Sequence, residues 1–146
     1  TGKPDWPEVD AQRATLAAQT DCSRYHIFPY LHHDMGLALA AADLVISRAG
    51  ASVLAEFPLF GLAAILVPYP YAWRYQKVNA DYLAERGAAV ILADERLETD
   101  LLAAVRGLLA DPARLAAMRR CAAALARPDG AVRLALELIH LAEEAR

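Results

Sequence analysis

The residues best suited to chemistry lie between Asp43 and Asn79. The stretch Asp43-Leu44-Val45-Ile46-Ser47-Arg48-Ala49-Gly50-Ala51-Ser52-Val53-Leu54-Ala55-Glu56 joins a short apolar run to a small polar turn, and a carboxylate follows six residues after the glycine. A short apolar run bounded by turn residues reads as a buried strand. A glycine in the turn lets backbone come close to a ligand, and a helix starting there aims unpaired N–H groups at it. The chemistry on offer is the holding of an anionic small molecule, with the N–H groups of Gly50-Ala51-Ser52 and the Ser52 hydroxyl suited to a diphosphate. A plain strand-to-helix turn capped by Ser52 has the same local pattern. The GxGxxG dinucleotide signature is absent, because its second and third glycines are missing.

Three further side chains fit a ligand with hydroxyl groups. Glu56 can accept two hydrogen bonds from vicinal hydroxyls, as acidic residues do with ribose in dinucleotide-binding folds. It equally suits a solvated first turn near the positive end of a helix dipole. Gln76 and Asn79 share a helix face at i, i+3, and carboxamides both donate and accept, as sugar hydroxyls require. A solvent-facing helix would show the same spacing. Tyr69, Tyr71 and Trp73 could stack on a ring, touch a lipid surface or fold onto the core. His26, His32 and His33 have no carboxylate or cysteine pattern around them that would make a metal site. No nucleophile elbow and no catalytic carboxylate pair stand out. The residues bind; none is assigned as catalytic and none as a metal ligand.

The elements that must position them follow from periodicity and breakers. Residues 1–8, with Gly2, Pro4 and Pro7, read as a loop, and Glu8 to Gln19 as a weakly amphipathic helix. Tyr25 to Leu31 reads as a short strand interrupted by Pro29, and Asp34 as a cap for a helix over Met35–Ala42. Leu44–Ser47 is a strand and Ala51–Phe60 the helix after it, with Gly61 at its C-cap. Ala63–Val67 is a continuous apolar run of the parallel-strand type. Pro68 to Trp73 is an aromatic, proline-rich loop, residues 75–85 a helix ending at Gly87, and Ala88–Leu92 a third strand. Helices over Glu98–Leu109, Pro112–Ala126 and Ala131–Glu144 follow, with Asp111-Pro112 as cap and first-turn proline. Alternating strand and helix predict an α/β fold, a Rossmann-like parallel sheet with helices on both faces. Ligands in such folds bind at the carboxyl ends of strands, so the loops after Leu44–Ser47 and Ala63–Val67 should be neighbours at the site.

Bulk properties narrow the function. The 146 residues suit one domain and one core. The chain is 57% hydrophobic, above the ordinary value of about 45–50%. That fits helices packed on both sides of a sheet, or a piece of a larger protein. A net charge of −3 gives no basic field for nucleic acid. Cys22 and Cys121, with no CxxC or Cys/His spacing, argue against a disulfide scaffold and a zinc site and for a reducing cytosol. No signal peptide is visible, and no apolar run reaches the ~18 residues of a membrane span. The start at Thr1-Gly2-Lys3, without methionine, leads us to expect a chain that begins mid-protein.

Taken together, Ala42 to Glu56, Gly61-Leu62-Ala63-Ala64-Ile65-Leu66-Val67-Pro68-Tyr69-Pro70 and Gln76-Lys77-Val78-Asn79-Ala80 resemble the carboxyl-terminal half of the MurG family. Thr1-Gly2-Lys3, Pro29-Tyr30-Leu31 with Asp34-Met35, Asp111-Pro112-Ala113-Arg114-Leu115 and Arg127-Pro128-Asp129 agree with it. The resemblance implies one half of a GT-B glycosyltransferase, with the active site between two Rossmann-like domains. Its implied activity is inverting transfer of N-acetylglucosamine from UDP-N-acetylglucosamine to undecaprenyl-pyrophosphoryl-MurNAc-pentapeptide, lipid I to lipid II. It implies that residues 1–146 are the carboxyl-terminal UDP-sugar-binding domain, lacking its first β-α unit and the whole amino-terminal acceptor domain, which carries the presumed base and the membrane association. The protein would then sit at the cytoplasmic face of the bacterial inner membrane, peripherally, and need no cofactor or metal.

Carried over, the backbone at Leu31 meets uracil and Glu56 the ribose. Gly50, Ala51, Ser52 and Val53 lie along the diphosphate, with Arg48 beside them. Gln76 holds the N-acetylglucosamine hydroxyls, and Asn79 supports it. The alternatives are another GT-B enzyme, such as a glycolipid synthase or two-subunit transferase, and a non-catalytic nucleotide-sugar-binding module. The sequence departs from the family pattern at Tyr75, usually Gln or His, and at Ala63, usually proline. Pro58 lies inside the helix bearing Glu56, so a kink or early end near residues 54–58 is expected. An exposed sheet edge and apolar surface are also expected.

Overall fold

The computed structural model describes residues 4–71 and 75–144; Thr1-Gly2-Lys3 and Trp73, named above, lie outside them. The chain divides into two compact units, Thr1–Ala38 and Leu39–Arg146. The first contains helix α1 (Trp6–Ala17), which starts two residues before Glu8 because Pro7 fits the first turn, where its missing N–H costs nothing. Helix α2 (Met35–Ala41) spans the boundary between the units. The strand expected at Tyr25–Leu31 is not formed; the segment is irregular and mostly exposed. Pro29 supplies no N–H for a ladder, and Phe28 and Tyr30 are 51% and 57% exposed.

The second unit is the predicted α/β layer. Strands β1 (Leu44–Ser47), β2 (Ala63–Leu66) and β3 (Ala89–Ile91) pair in parallel in the order β1-β2-β3. Leu44 pairs with Ala63 and Ser47 with Leu66 in one ladder, Ala64 with Ala89 and Leu66 with Ile91 in the other. Side chains alternate along β2, so the sheet builds two cores. Ala64, Leu66 and Ala89 pack with Val53 and Phe57 of α3 (Val53–Leu59), Ala80 and Leu83 of α4 (Tyr75–Glu85) and Ala122 of α6 (Pro112–Ala124). Ala63, Ile65 and Val67 pack with Leu108 of α5 (Leu97–Leu109) and Met118 of α6, with Leu97, Leu101, Ala104 and Val105 against them. On α5 the apolar residues recur at helical spacing, forming one stripe. Both crossover helices, α3 and α4, share one face, as successive right-handed connections running in one direction require. After β3 a short 3-10 turn, Asp94–Arg96, precedes α5. The cap expected at Asp111 is formed: its Oδ1 accepts from Arg114 N–H at 2.9 Å, with Pro112 in the first turn. Helix α7 (Gly130–Glu144) closes the described chain and has no buried residue.

The early end expected near Pro58 does not occur: α3 runs through Pro58 to Leu59. The proline is the sixth of seven helical residues, so it removes one hydrogen bond near the end of the helix. Its buried ring fills core space beside Phe57. What stops the helix is Gly61, with φ of +57°. Leu62 N–H reaches the Phe57 carbonyl and Gly61 N–H the Pro58 carbonyl, the paired bonds of a Schellman cap. Gly87, at φ +74°, ends α4 in the same way, with Ala88 N–H on the Leu83 carbonyl. These two caps turn the chain into β2 and β3.

Gly61→Ala forces a Cβ into the left-handed region, at a cost of about 1–2 kcal/mol, and sets it 3.5 Å from the Ala123 Cβ. Calorimetry should show the thermal midpoint falling by roughly 2–8 °C, and an unchanged midpoint would contradict the cap.

Candidate functional site

The loops after β1 and β2 lie side by side because their strands are paired: Val67 N–H donates to the Ser47 carbonyl at 2.9 Å. At the end of β1 the chain dips inward at fully buried Ala49 and emerges at Gly50-Ala51-Ser52. Val53, 4% exposed, pins the far side of this turn to the core, and its N–H goes to the Gly50 carbonyl at 3.3 Å. Leu54 N–H bonds the Ala51 carbonyl, while Ala55 and Glu56 N–H both bond that of Ser52. The N–H groups of Gly50, Ala51 and Ser52 have no acceptor among the described residues. Ser52 occupies the N-cap position, yet its hydroxyl makes no capping bond. Three backbone donors and one hydroxyl thus stay open on a turn whose outer residues are exposed.

Gly50 has ordinary negative φ, and a Cβ built on it would meet nothing within 4 Å. The folded chain therefore makes no steric demand for glycine at this position. Glu56 lies in the first turn of α3, exposed, and its carboxylate has no partner among the described residues.

The two carboxamides of α4 are partly committed to the protein. Asn79 Nδ2 donates to the Ala49 carbonyl at 2.9 Å, tying α4 to the base of the turn. Gln76 Oε1 accepts the Tyr69 N–H at 2.9 Å, fixing the loop after β2 and leaving its Nε2 open. Arg48 donates from Nη1 to the Val67 carbonyl at 3.3 Å and pairs with Asp94. Its guanidinium carbon stands 5.3 Å from the centre of the Tyr69 ring. Tyr69 in turn meets Tyr71 edge-on, with ring centres 5.5 Å apart.

Of the nine residues expected at the site, Arg48, Gly50, Ala51, Ser52, Val53, Glu56, Gln76 and Asn79 fall on the two adjacent loops and the helices they start. Leu31 belongs to the first unit, half-buried in the irregular stretch after Tyr30. Asp94 and Tyr69 emerge as site residues by contact. Only the aromatic loop gave any hint of this in the sequence; Asp94 gave none. Beside Tyr69 a cleft of about 900 Å³ opens between Pro68-Tyr69-Pro70, Ile91, Ala93 and Asp94. Among the described residues no cluster of His, Cys, Asp and Glu could hold a metal ion, and no helix is long and apolar enough to cross a membrane.

Residues 1–134 match the family model described as Glycosyltransferase family 28 C-terminal domain. A protein of Desulforudis audaxviator is 51% identical over 104 residues, 70% of this chain and 28% of its own length. One of Chlorobium limicola is 39% identical over 153 residues, 94% of this chain and 42% of its own length. Both are named UDP-N-acetylglucosamine--N-acetylmuramyl-(pentapeptide) pyrophosphoryl-undecaprenol N-acetylglucosamine transferase. The crystal structure of Acinetobacter baumannii MurG matches with a TM-score of 0.68 at 34% identity, over 79% of this chain and 33% of that one. The chain spans less than half the length of these relatives.

Asn79→Ala removes the only donor that α4 extends to Ala49 among the described residues and leaves a buried carbonyl unsatisfied, which costs about 1–3 kcal/mol. Urea unfolding should show that loss. A midpoint equal to that of the unaltered chain would mean the turn is held in place without α4.

Proposed function

The chain belongs to the glycosyltransferase family 28 C-terminal domains, and from that premise we propose that it is the UDP-N-acetylglucosamine-binding part of an inverting N-acetylglucosaminyltransferase. In this reading residues 1–146 form the carboxyl-terminal donor domain of a longer enzyme, without its first β-α unit and its amino-terminal domain. The acceptor is the lipid-linked N-acetylmuramyl-pentapeptide named for the relatives. Acceptor and membrane contacts belong to the amino-terminal part, which works peripherally at the cytoplasmic face of the membrane.

The observation that carries the reading is the turn at Gly50. Its three open N–H groups stand within one helical turn of an unpartnered carboxylate, at the carboxyl edge of a parallel sheet. The donors suit a diphosphate. Glu56 suits the vicinal hydroxyls of the ribose next to it, and the open Nε2 of Gln76 suits a sugar hydroxyl at the other end. Leu31 offers backbone to the uracil, and Val53 and Asn79 hold the turn in shape. In the reaction an acceptor hydroxyl attacks the anomeric carbon from the face opposite UDP. The bond from that carbon to the diphosphate oxygen breaks, and its electron pair leaves with UDP. Donors already fixed by the fold stabilise the growing negative charge without reorganising. The hydroxyl proton goes to a base outside this chain, to which no residue here is assigned.

The steric freedom at Gly50 supplies a test. A methyl group there meets no protein atom, so Gly50→Ala should leave stability unchanged or raise it by about 0.4–1 kcal/mol. Titration calorimetry should nevertheless show it binding UDP-N-acetylglucosamine about tenfold more weakly or worse, since the methyl occupies the space a diphosphate needs. Full affinity in Gly50→Ala would rule out close backbone approach at the turn. Glu56→Ala, at an exposed site with no partner to lose, should weaken the same binding by roughly 10- to 100-fold, the worth of one or two hydrogen bonds to a charged group. Unchanged binding would remove Glu56 from the ribose.

A further inference from the structure

Three loops leave the carboxyl edge of the sheet, after β1, β2 and β3, and one side chain touches all of them. Arg48 belongs to the first, donates to the Val67 carbonyl at the root of the second, and pairs with Asp94 in the third. It also stands under the Tyr69 ring. Tyr69 is therefore held at both ends, its N–H by Gln76 and its ring by Arg48. The Arg48 charge is already answered by a carboxylate, and its planar face is already against an aromatic ring. Those commitments suit a brace better than a free phosphate contact. Arginine rather than lysine fits the task, because only a guanidinium can fork between a carbonyl and a carboxylate while lying flat on a ring.

We propose that Arg48 is a positioning residue: with Asp94 it fixes the Tyr69 loop, and through that loop Gln76, against the Gly50 turn, so that it governs recognition of the sugar end of the donor without touching the nucleotide. This rests on the donor-site reading above. The loop it braces is also one wall of the cleft lined by Pro68, Tyr69, Pro70 and Asp94, so the brace separates the diphosphate turn from that cleft. Asp94 acts only through Arg48 and has no ligand of its own in this scheme.

The test compares UDP with UDP-N-acetylglucosamine, by calorimetry, on the unaltered chain and on Arg48→Lys and Asp94→Asn. In both variants the sugar nucleotide should lose about fivefold more affinity than UDP, the scale of one exposed cation–π contact with its hydrogen bond. A direct phosphate contact predicts otherwise: UDP and UDP-N-acetylglucosamine would weaken equally in Arg48→Lys, and Asp94→Asn would bind both as well as before or better. Either result overturns the brace. Amide exchange gives a second readout that needs no ligand. The Tyr69 N–H should exchange faster in Arg48→Lys and in Asp94→Asn, while that of Leu62, in the cap at Gly61, keeps its rate. Unchanged exchange at Tyr69 would also overturn the proposal. If the unaltered chain binds neither nucleotide, the donor-site reading fails instead, and the Tyr69 amide still decides whether Arg48 holds the loop.

Discussion

Strand β2 has no face open to water. Ala63, Ile65 and Val67 point into one helical layer, Ala64 and Leu66 into the other, and all five are at most 2% exposed. A strand buried on both faces must satisfy its backbone through neighbours on both edges, and β1 and β3 supply them in register. A one-residue slip would exchange the small alanines of one layer for the larger side chains of the other. With the register held in this way, the three carboxyl-end loops come out side by side. Every contact at the site depends on that.

At the site the division of labour is between side chains that hold and backbone that is held. Asn79 secures Ala49, Gln76 secures Tyr69, and Arg48 spans Val67, Tyr69 and Asp94. What they leave open is a row of N–H groups on Gly50, Ala51 and Ser52, with the Glu56 carboxylate one turn on. Fixed donors of this kind suit a ligand whose charge grows during reaction, because no dipole has to turn to meet it. The exposed Arg48–Asp94 pair contributes little stability of its own by the usual measure of surface ion pairs. Its value lies in geometry.

The apolar excess in the composition does not all go into the two cores. β1 and β3 are the outer strands of the described sheet, and Ile46 and Ile91 are 47% and 38% exposed on them. Helix α7 carries Val132, Leu134, Leu136, Ile139 and Leu141, all more than half exposed. The expected sheet edges and apolar surface are present, and they lie away from the packed middle of the sheet.

By itself the sequence determined the elements whose signals are local. Leu44–Ser47 is bounded by Asp43 and a polar turn, the helix from Tyr75 ends at a glycine, and the helix from Pro112 begins at an aspartate cap; each stands where its neighbours in sequence place it. The glycosyltransferase resemblance was legible for the same reason, since its motif is one strand, one turn and one helix start. The tertiary structure decided the rest. Tyr25–Leu31 has the composition of a strand, yet a strand exists only with a partner, and none pairs with it among the described residues. Pro58 looked like a helix breaker, but the break depends on where the helix starts, and a start at Val53 puts the proline near its end. Arg48, Gln76 and Asn79 looked alike as polar groups near a ligand. Whether such a group faces a ligand or braces the chain depends on contacts 19, 7, 30 and 46 residues away, and only the pairing of β1, β2 and β3 brings those distances together.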